Sequence, residues 1–322
     1  MINMLTVDVE DYFHVSAFSG VVSRDDWDHF ETRVERNVDR LLGIFADTNV
    51  RATLFVLGWV AERHPDLLKR IAAAGHEVAS HSYSHRLVYD TTPDEFRFDL
   101  RRAKGVIEAA TGLPVRGFRA PSFSITARST WALDVLLQEG YQYDASIFPI
   151  HHDRYGIPNA RRDPHVIRTR RDPYVLSPST PFVLSLPAVS LPNPSKERTV
   201  LRAGLSKDER HLEETRERAL WEIPASTIRF AGMNFPIGGG GYFRILPYAW
   251  TAFGIRRLNQ RERKPAMVYM HPWEIDPDQP RLKAPWLSRF RHYRHLAQTE
   301  PRLRRLLAEF RFAPIRDIIS SL

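Results

Sequence analysis

The stretch ATLFVLGWVAERHPDLLKRIAAAGHEVASHSYSH, residues 52–85, reads as strand, helix, strand and a closing pair of histidines. Ala52 to Leu57 is an apolar, β-rich run, and Leu67, Leu68 and Ile71 then recur at helical spacing. Pro65 stands near the start of that helix and Gly75 just past its end. His76 to Ser80 is again of strand type. Such a unit joins parallel strands by a right-handed crossover, and the alternation extends in both directions. Upstream, Met4 to Val9 reads as a buried strand, followed by Val34, Val38, Leu41, Leu42 and Phe45 on one helical face. Downstream, Thr92-Pro93-Asp94-Glu95 places Thr at a cap, Pro at the first helical position and Glu three residues on. The helix it opens runs through Phe96, Leu100, Ala103 and Ile107 until Gly112 and Pro114 end it. A strand near Val115 to Phe118, a helix around Trp131 to Leu137 stopped by Gly140, and a strand at Tyr141 to Asp144 continue the pattern. The expected class is α/β with mostly parallel strands.

From about Tyr155 the pattern breaks. Pro158, Pro164, Pro173, Pro178, Pro181, Pro187, Pro192 and Pro194 exclude regular helix and leave room only for short or edge strands. Residues 155–246 are therefore read as an insertion packed on the core, with Leu220 to Phe230 resembling a strand. It ends in a loop, Gly238-Gly239-Gly240-Gly241-Tyr242-Phe243-Arg244, whose glycines permit close backbone approach. No Lys-Ser/Thr pair follows it, as a P-loop would require. A helix near Tyr248 to Leu258 leads to a last core strand, Ala266 to Met270, capped by His271-Pro272-Trp273-Glu274. The expected organisation is a first barrel part at 1–154, the insertion at 155–246, the last barrel helix and strand at 247–280, and a basic extension at 281–322.

A length of 322 residues suits one barrel of alternating strands and helices with an appendage. No apolar stretch approaches the roughly 20 residues that span a bilayer, so no transmembrane segment is expected. The start, Met1-Ile2-Asn3-Met4-Leu5, shows no export signal, and the cytoplasm is the expected compartment. The absence of cysteine excludes disulfides and thiolate ligands and leaves His and carboxylates for any metal site. The net charge of +8 is concentrated late in the chain. Arg281, Lys283, Arg289, Arg291, Arg294, Arg302, Arg304, Arg305 and Arg311 face only Glu300 and Glu309, with Trp286, Leu287, Phe290, Tyr293 and Leu296 interleaved. Either this is a solvated face docked on the barrel, or a basic amphipathic helix making peripheral contact with anionic lipid at the inner face of the membrane. No nucleic-acid module is recognisable, and no nucleic-acid partner is expected.

Polar residues cluster where strands end: Asp8, Glu10 and Asp11; His81 and His85; Arg119; Asp144; His271. Parallel barrels carry their catalytic groups at such ends. Two imidazoles four residues apart converge on one ion if the segment turns helically, and a carboxylate from another strand end completes a three-ligand set. Strand alternation puts Asp8 and Glu10 on one side and Asp11 on the other, which favours Glu10 as ligand and leaves Asp11 as the alternative.

Five separated motifs carry a resemblance. Thr6-Val7-Asp8 through Asp11, His81 through His85, Arg119-Ala120-Pro121-Ser122-Phe123, Tyr143-Asp144-Ala145-Ser146 and Val268-Tyr269-Met270-His271 resemble, in that order, the polysaccharide deacetylase family, the NodB-homology or carbohydrate esterase 4 group. More narrowly, residues 7–13, 239–244 and 269–274 look like the deacetylases associated with exosortase and exopolysaccharide biosynthesis. The resemblance implies a distorted (β/α) barrel of seven or eight strands and metal-dependent removal of N-acetyl groups from an amino sugar in a polysaccharide or lipid-linked glycan. Zinc is the expected ion. It implies Asp8 as general base, His271 as general acid, and Arg119 and Asp144 as orienting groups. Phe123, Tyr242, Arg244 and Trp273 are the expected substrate contacts. Two departures stand out: the usual adjacent Asp-Asp is here Asp8-Val9-Glu10-Asp11, and the fourth motif lacks its usual tryptophan. The competing readings are an allantoinase-like cyclic-amide hydrolase and a catalytically silent carbohydrate-binding protein.

Overall fold

The structure, a computed structural model, describes residues 1–169 and 218–321. Its main sheet contains β1 (Ile2–Val9), β2 (Thr53–Val56), β3 (Glu77–Ser80), β4 (Gly117–Phe118), β5 (Tyr143–Asp144), β6 (His165–Thr169), β7 (Arg218–Glu222) and β10 (Met267–Met270). The spatial order is β10-β1-β2-β3-β4-β5-β7-β6, parallel throughout except for the antiparallel β6–β7 pair. Among the described residues no ladder joins β10 to β6, so the barrel is distorted and open. The antiparallel pair β8 (Thr227–Phe230) and β9 (Met233–Pro236) forms a separate ribbon.

The crossovers are α1 (Val34–Asp47), α2 (Gly58–Arg63), α3 (Pro65–Ala73), α4 (Pro93–Thr111) and α5 (Trp131–Gln138). Leu67, Leu68 and Ile71 of α3 are buried, as are Phe96, Leu100, Ala103 and Ile107 of α4, so each apolar stripe faces the sheet. The capping box at Thr92 and Glu95 is formed, and Gly112 ends α4 in the left-handed conformation. Later helices are α6 (Gly240–Ile245), α7 (Tyr248–Arg257), α8 (Trp286–Tyr293), α9 (Leu296–Glu309) and α10 (Ile315–Ile319).

The second half of the chain departs from the expected organisation. The segment 155–246 is not only an insertion, because β6 and β7 extend the main sheet from within it. Leu220 to Phe230 is two strands, one in each sheet. Pro173, Pro178, Pro181, Pro187, Pro192 and Pro194 lie outside the described residues. The segment 281–322 is not an appendage either. Its β11 (Arg311–Ala313) pairs with the start of β1, and the backbone N–H groups of Ile315 and Arg316 donate to Thr53 Oγ1 at 2.8 Å and Glu77 Oε2 at 3.0 Å. Ile315 and Ile318 are buried. Three-residue strands offer too little period for a sequence pattern to reveal them.

The register of the ladders brings distant sequence together. Val7 pairs with Met270, so Asp8 and His271 leave neighbouring strands at the same level. Val9 pairs with Val56, Val56 with Ser80 and Ser80 with Phe118, which sets Glu10, His81 and Arg119 at one height.

Candidate metal centre and active site

Glu10, His81 and His85 each offer a ligand atom within 4.8 Å of the others, and all three are buried. His85 Nε2 lies 2.7 Å from Glu10 Oε2. The loop carrying the histidines is not helical, contrary to the simplest expectation from their spacing: Ser82 and His85 have φ of 67° and 52°. Left-handed non-glycine residues cost of order 1–3 kcal/mol each and persist where their surroundings over-determine them. Asp99 on α4 supplies that determination. Its carboxylate accepts from Ser82 Oγ at 2.7 Å, Tyr83 N at 2.7 Å, Ser84 N at 3.0 Å and Ser84 Oγ at 2.6 Å. From the other side, the N–H groups of Gly58 and Trp59 bond the carbonyls of Ser82 and Tyr83. A Cβ at Gly58 would stand 2.7 Å from the Tyr83 ring, so this approach needs glycine.

The donor set fits a divalent cation. His81 Nδ1 donates to the Arg119 carbonyl at 2.9 Å, which fixes its tautomer and leaves Nε2 free as a ligand. Burial pushes the His81 imidazole down to about 4, keeping it neutral as ligation requires. Burial opposes the charge on Glu10, yet His85, His271 and His81 hold its carboxyl well below the usual range. Among the described residues, the only group within reach of the buried Glu10 Oε2 is the other candidate ligand, His85 Nε2. One carboxylate and two imidazoles suit zinc.

Asp11 faces away. Its carboxylate accepts from Tyr12 N at 2.9 Å, Arg33 N at 2.6 Å and Val34 N at 2.9 Å, at the start of α1. Burial pushes it up to about 6 despite these bonds. We therefore expect Glu10→Gln to weaken metal affinity strongly. Asp11→Asn should leave affinity within about tenfold, at the mild end of outer-sphere effects, and lower stability by about 1 kcal/mol, as loss of a helix cap does. Metal titration and thermal melts of both variants check this, and loss of binding in Asp11→Asn alone would transfer the ligand role.

Beside this group, Asp8 is held by Arg119. The buried guanidinium donates from Nη1 to Asp8 Oδ1 at 2.7 Å and Thr6 Oγ1 at 2.8 Å, and from Nε to the Ala145 carbonyl at 3.1 Å. Thr6 and Asp8 share the inner side of β1, as a period of two requires. Phe55 lies beneath the guanidinium, 4.2 Å from its ring centroid. His271 approaches from β10: its Nε2 is 3.8 Å from Asp8 Oδ2 and 3.6 Å from Glu10 Oε1. Its side chain is 17% exposed, against 3% for Asp8 and Glu10 and 4% for His85, so it stands closest to an incoming molecule.

A carboxylate not expected from the sequence holds His271. Glu274 Oε1 accepts from His271 Nδ1 at 2.6 Å and from its backbone N–H at 3.0 Å. Glu274 Oε2 in turn takes Arg244 Nε at 2.7 Å. Burial disfavours the imidazolium, but the hydrogen bond and charge of Glu274, aided by Glu10 and Asp8, raise His271 to about 9. The spacing His271-Pro272-Trp273-Glu274 was the available signal: a side-chain acceptor three residues past a cap position returns to it.

Asp144 does not touch His271, nor does it meet the Arg119 guanidinium directly. It accepts from Ser146 Oγ at 2.5 Å, and Ser146 Oγ accepts from Ala120 N at 2.8 Å. Asp144 pairs in the ladder with Glu222 on β7; burial and this neighbouring acid raise Glu222 well above its ordinary range, while burial pushes Asp144 up to about 6. Glu222 Oε1 also accepts from Ile147 N at 3.1 Å, so the two acids hold the backbone that follows β5.

Three expected substrate contacts are buried instead. Arg244 spends its N–H groups on Glu274 and on the carbonyls of Arg291, His292 and Arg294. Phe123 packs on Tyr269 and Phe148, at centroid distances of 4.9 and 5.3 Å. Trp273 lies stacked between His271 at 5.1 Å and His292 at 4.0 Å. Only Tyr242 keeps partial exposure, its hydroxyl 3.4 Å from that of Tyr155. The glycine loop approaches a protein ring: a Cβ at Gly239, where φ is +106°, would meet Tyr269 at 2.1 Å.

Comparison with known proteins agrees with this geometry. The polysaccharide deacetylase family model matches residues 25–143, and a domain of unknown function, DUF3473, matches residues 194–320. A peptidoglycan-N-acetylglucosamine deacetylase of Bacillus cereus is 33% identical over 82 residues, 26% of this chain and 30% of that protein. A chitooligosaccharide deacetylase of Rhizobium leguminosarum is 28% identical over 113 residues, 35% of this chain and 48% of that protein. The chain thus spans less than half the length of either relative. A provisionally named polysaccharide deacetylase of Mycobacterium smegmatis superposes with a TM-score of 0.55 at 20% identity, over 99% of this chain and 90% of that one, and shares the fold. Residues 25–143 thus match the polysaccharide deacetylase family model, the motifs stand in the order of the NodB-homology or carbohydrate esterase 4 group, and the fold is that of the Mycobacterium protein.

Proposed function

We propose that the protein is a metal-dependent hydrolase that removes N-acetyl groups from an amino sugar within a polysaccharide or a lipid-linked glycan, as in exopolysaccharide biosynthesis. The observation that carries this is the approach of His271 to both Asp8 and Glu10, within 3.8 Å of each, beside the Glu10, His81 and His85 group. A zinc ion held by those three residues would polarise the amide carbonyl and lower the pKa of water towards neutrality. Asp8, oriented by Arg119, accepts the proton of the attacking water. His271, protonated at Nε2 through its bond to Glu274, gives a proton to the departing amine nitrogen. Amide cleavage needs both transfers, since an unprotonated amine is a poor leaving group.

Because His271 must carry its proton to act, amide turnover is expected to fall as pH rises through about 9. Glu274→Gln removes the charge that raises His271, so that limb moves to lower pH and turnover drops roughly 10- to 100-fold, as for outer-sphere partners. An aryl acetate ester, whose leaving group needs no proton, should lose far less. Equal losses on amide and ester would mean that Glu274 only supports the fold. The function itself is tested by acetate release from N-acetylated oligosaccharides, peptidoglycan fragments and lipid-linked N-acetylhexosamine. Ring opening of cyclic amides without acetate would support the allantoinase-like reading, and binding without turnover the silent one.

A further inference from the structure

An ordinary surface helix of this fold hides its apolar residues and shows its charges; α8 shows both. Trp286, Leu287 and Phe290 are 75%, 42% and 41% exposed, and the buried residue of the helix is His292. At about 100° per residue these three fall in one arc, with Arg289 and Arg291 on its two flanks and His292 opposite. The cations around it lack acidic partners among the described residues, Arg281 lying over the Tyr293 ring at 4.3 Å and Arg294 over the Phe290 ring at 5.3 Å. Arg281, Lys283, Arg289, Arg291 and Arg294 are exposed and form no ion pair among the described residues, and residues 281–295 contain no Asp or Glu. The basic run is therefore not uniform. Arg302 is spent on the carbonyls of Phe243, Arg244 and Leu246, Arg304 pairs with Glu300 and Asp47, and Arg305 pairs with Glu309.

We propose that α8 and its flanking residues 281–294 form a docking face for an anionic lipid surface. An apolar arc needs an apolar partner and five unpaired cations need anions; an acidic bilayer offers both at the depth a surface helix reaches. A second copy of the same face would set like charges together. The helix is fixed to the active site, because Arg244 binds the carbonyls of Arg291, His292 and Arg294, and His292 stacks on Trp273 beside His271. Docking would therefore bring the catalytic group to the bilayer, where a glycan on a lipid anchor is found. The docking claim itself does not depend on the deacetylase reading.

The full-length protein is sedimented with vesicles of phosphatidylcholine alone or mixed with phosphatidylglycerol. Binding is expected to the mixed vesicles, to weaken with salt, and to fall roughly fivefold for each cation removed. Trp286→Ser with Phe290→Ser, and separately Lys283→Glu with Arg289→Glu, should each lower binding at least tenfold while turnover of a soluble acetylated substrate stays unchanged. Brominated phosphatidylglycerol should quench a tryptophan signal in the wild type that Trp286→Phe lacks. No binding to acidic vesicles, binding indifferent to these substitutions, equal affinity for DNA, or self-association that Trp286→Ser abolishes would each overturn the proposal.

Discussion

Asp8→Asn is expected to lower turnover by roughly 10² to 10⁴ while the protein keeps its metal. Asp8 lies outside the group formed by Glu10, His81 and His85, so its replacement leaves all three ligands in place. Asparagine preserves the shape and one acceptor for Arg119 but cannot take a proton from water. The substitution also leaves the buried Arg119 without its counter-charge, and removing one partner of a buried pair costs up to about 3–5 kcal/mol. A lower melting temperature is thus expected, and turnover is compared on protein shown to be folded at the assay temperature. Metal content settles the role of the residue. If Asp8→Asn loses the ion and excess metal restores normal turnover, base and ligand have been exchanged.

His85→Ala, and equally His81→Ala, should abolish metal binding and activity together, since two remaining ligands hold a catalytic ion poorly. The two variants differ in what else they disturb. His85 pairs directly with Glu10, so its removal leaves a buried carboxylate uncompensated, whereas His81 also bonds the Arg119 carbonyl and helps align the strand ends. Full metal occupancy with normal turnover in either variant would remove the site from the account.

Much of this was legible in the sequence where the signal is local. The buried runs at β1, β2 and β3 are continuous and apolar, as strands covered on both faces must be, and the residues that follow them are the ones the structure gathers. What escaped depends on tertiary contacts. Asp99 sits mid-helix on α4, where an acid usually means a solvated face; nothing in the sequence says that it braces the histidine loop. Arg244 beside a glycine run suggested a ligand contact, but its charge is neutralised by Glu274 and its N–H groups by carbonyls from a segment some 50 residues on. Asp144 was tied by motif to the catalytic groups, and only the ladder between β5 and β7 reveals Glu222 as its neighbour. The short strands β6, β7 and β11 came from stretches read as insertion and extension because proline and charge mask so few residues of period.

The central claim is that this chain's Glu10, His81 and His85 hold an ion that works with Asp8 and His271 on an N-acetyl amide. Acetate and free amine are measured together from N-acetylglucosamine oligomers with enzyme stripped by chelator, then with zinc restored. The account predicts no release from the stripped enzyme, recovery with zinc, and one new amine for each acetate. Release that persists without bound metal, or a zinc-loaded folded enzyme that frees no acetate from any N-acetylated glycan offered, would contradict it.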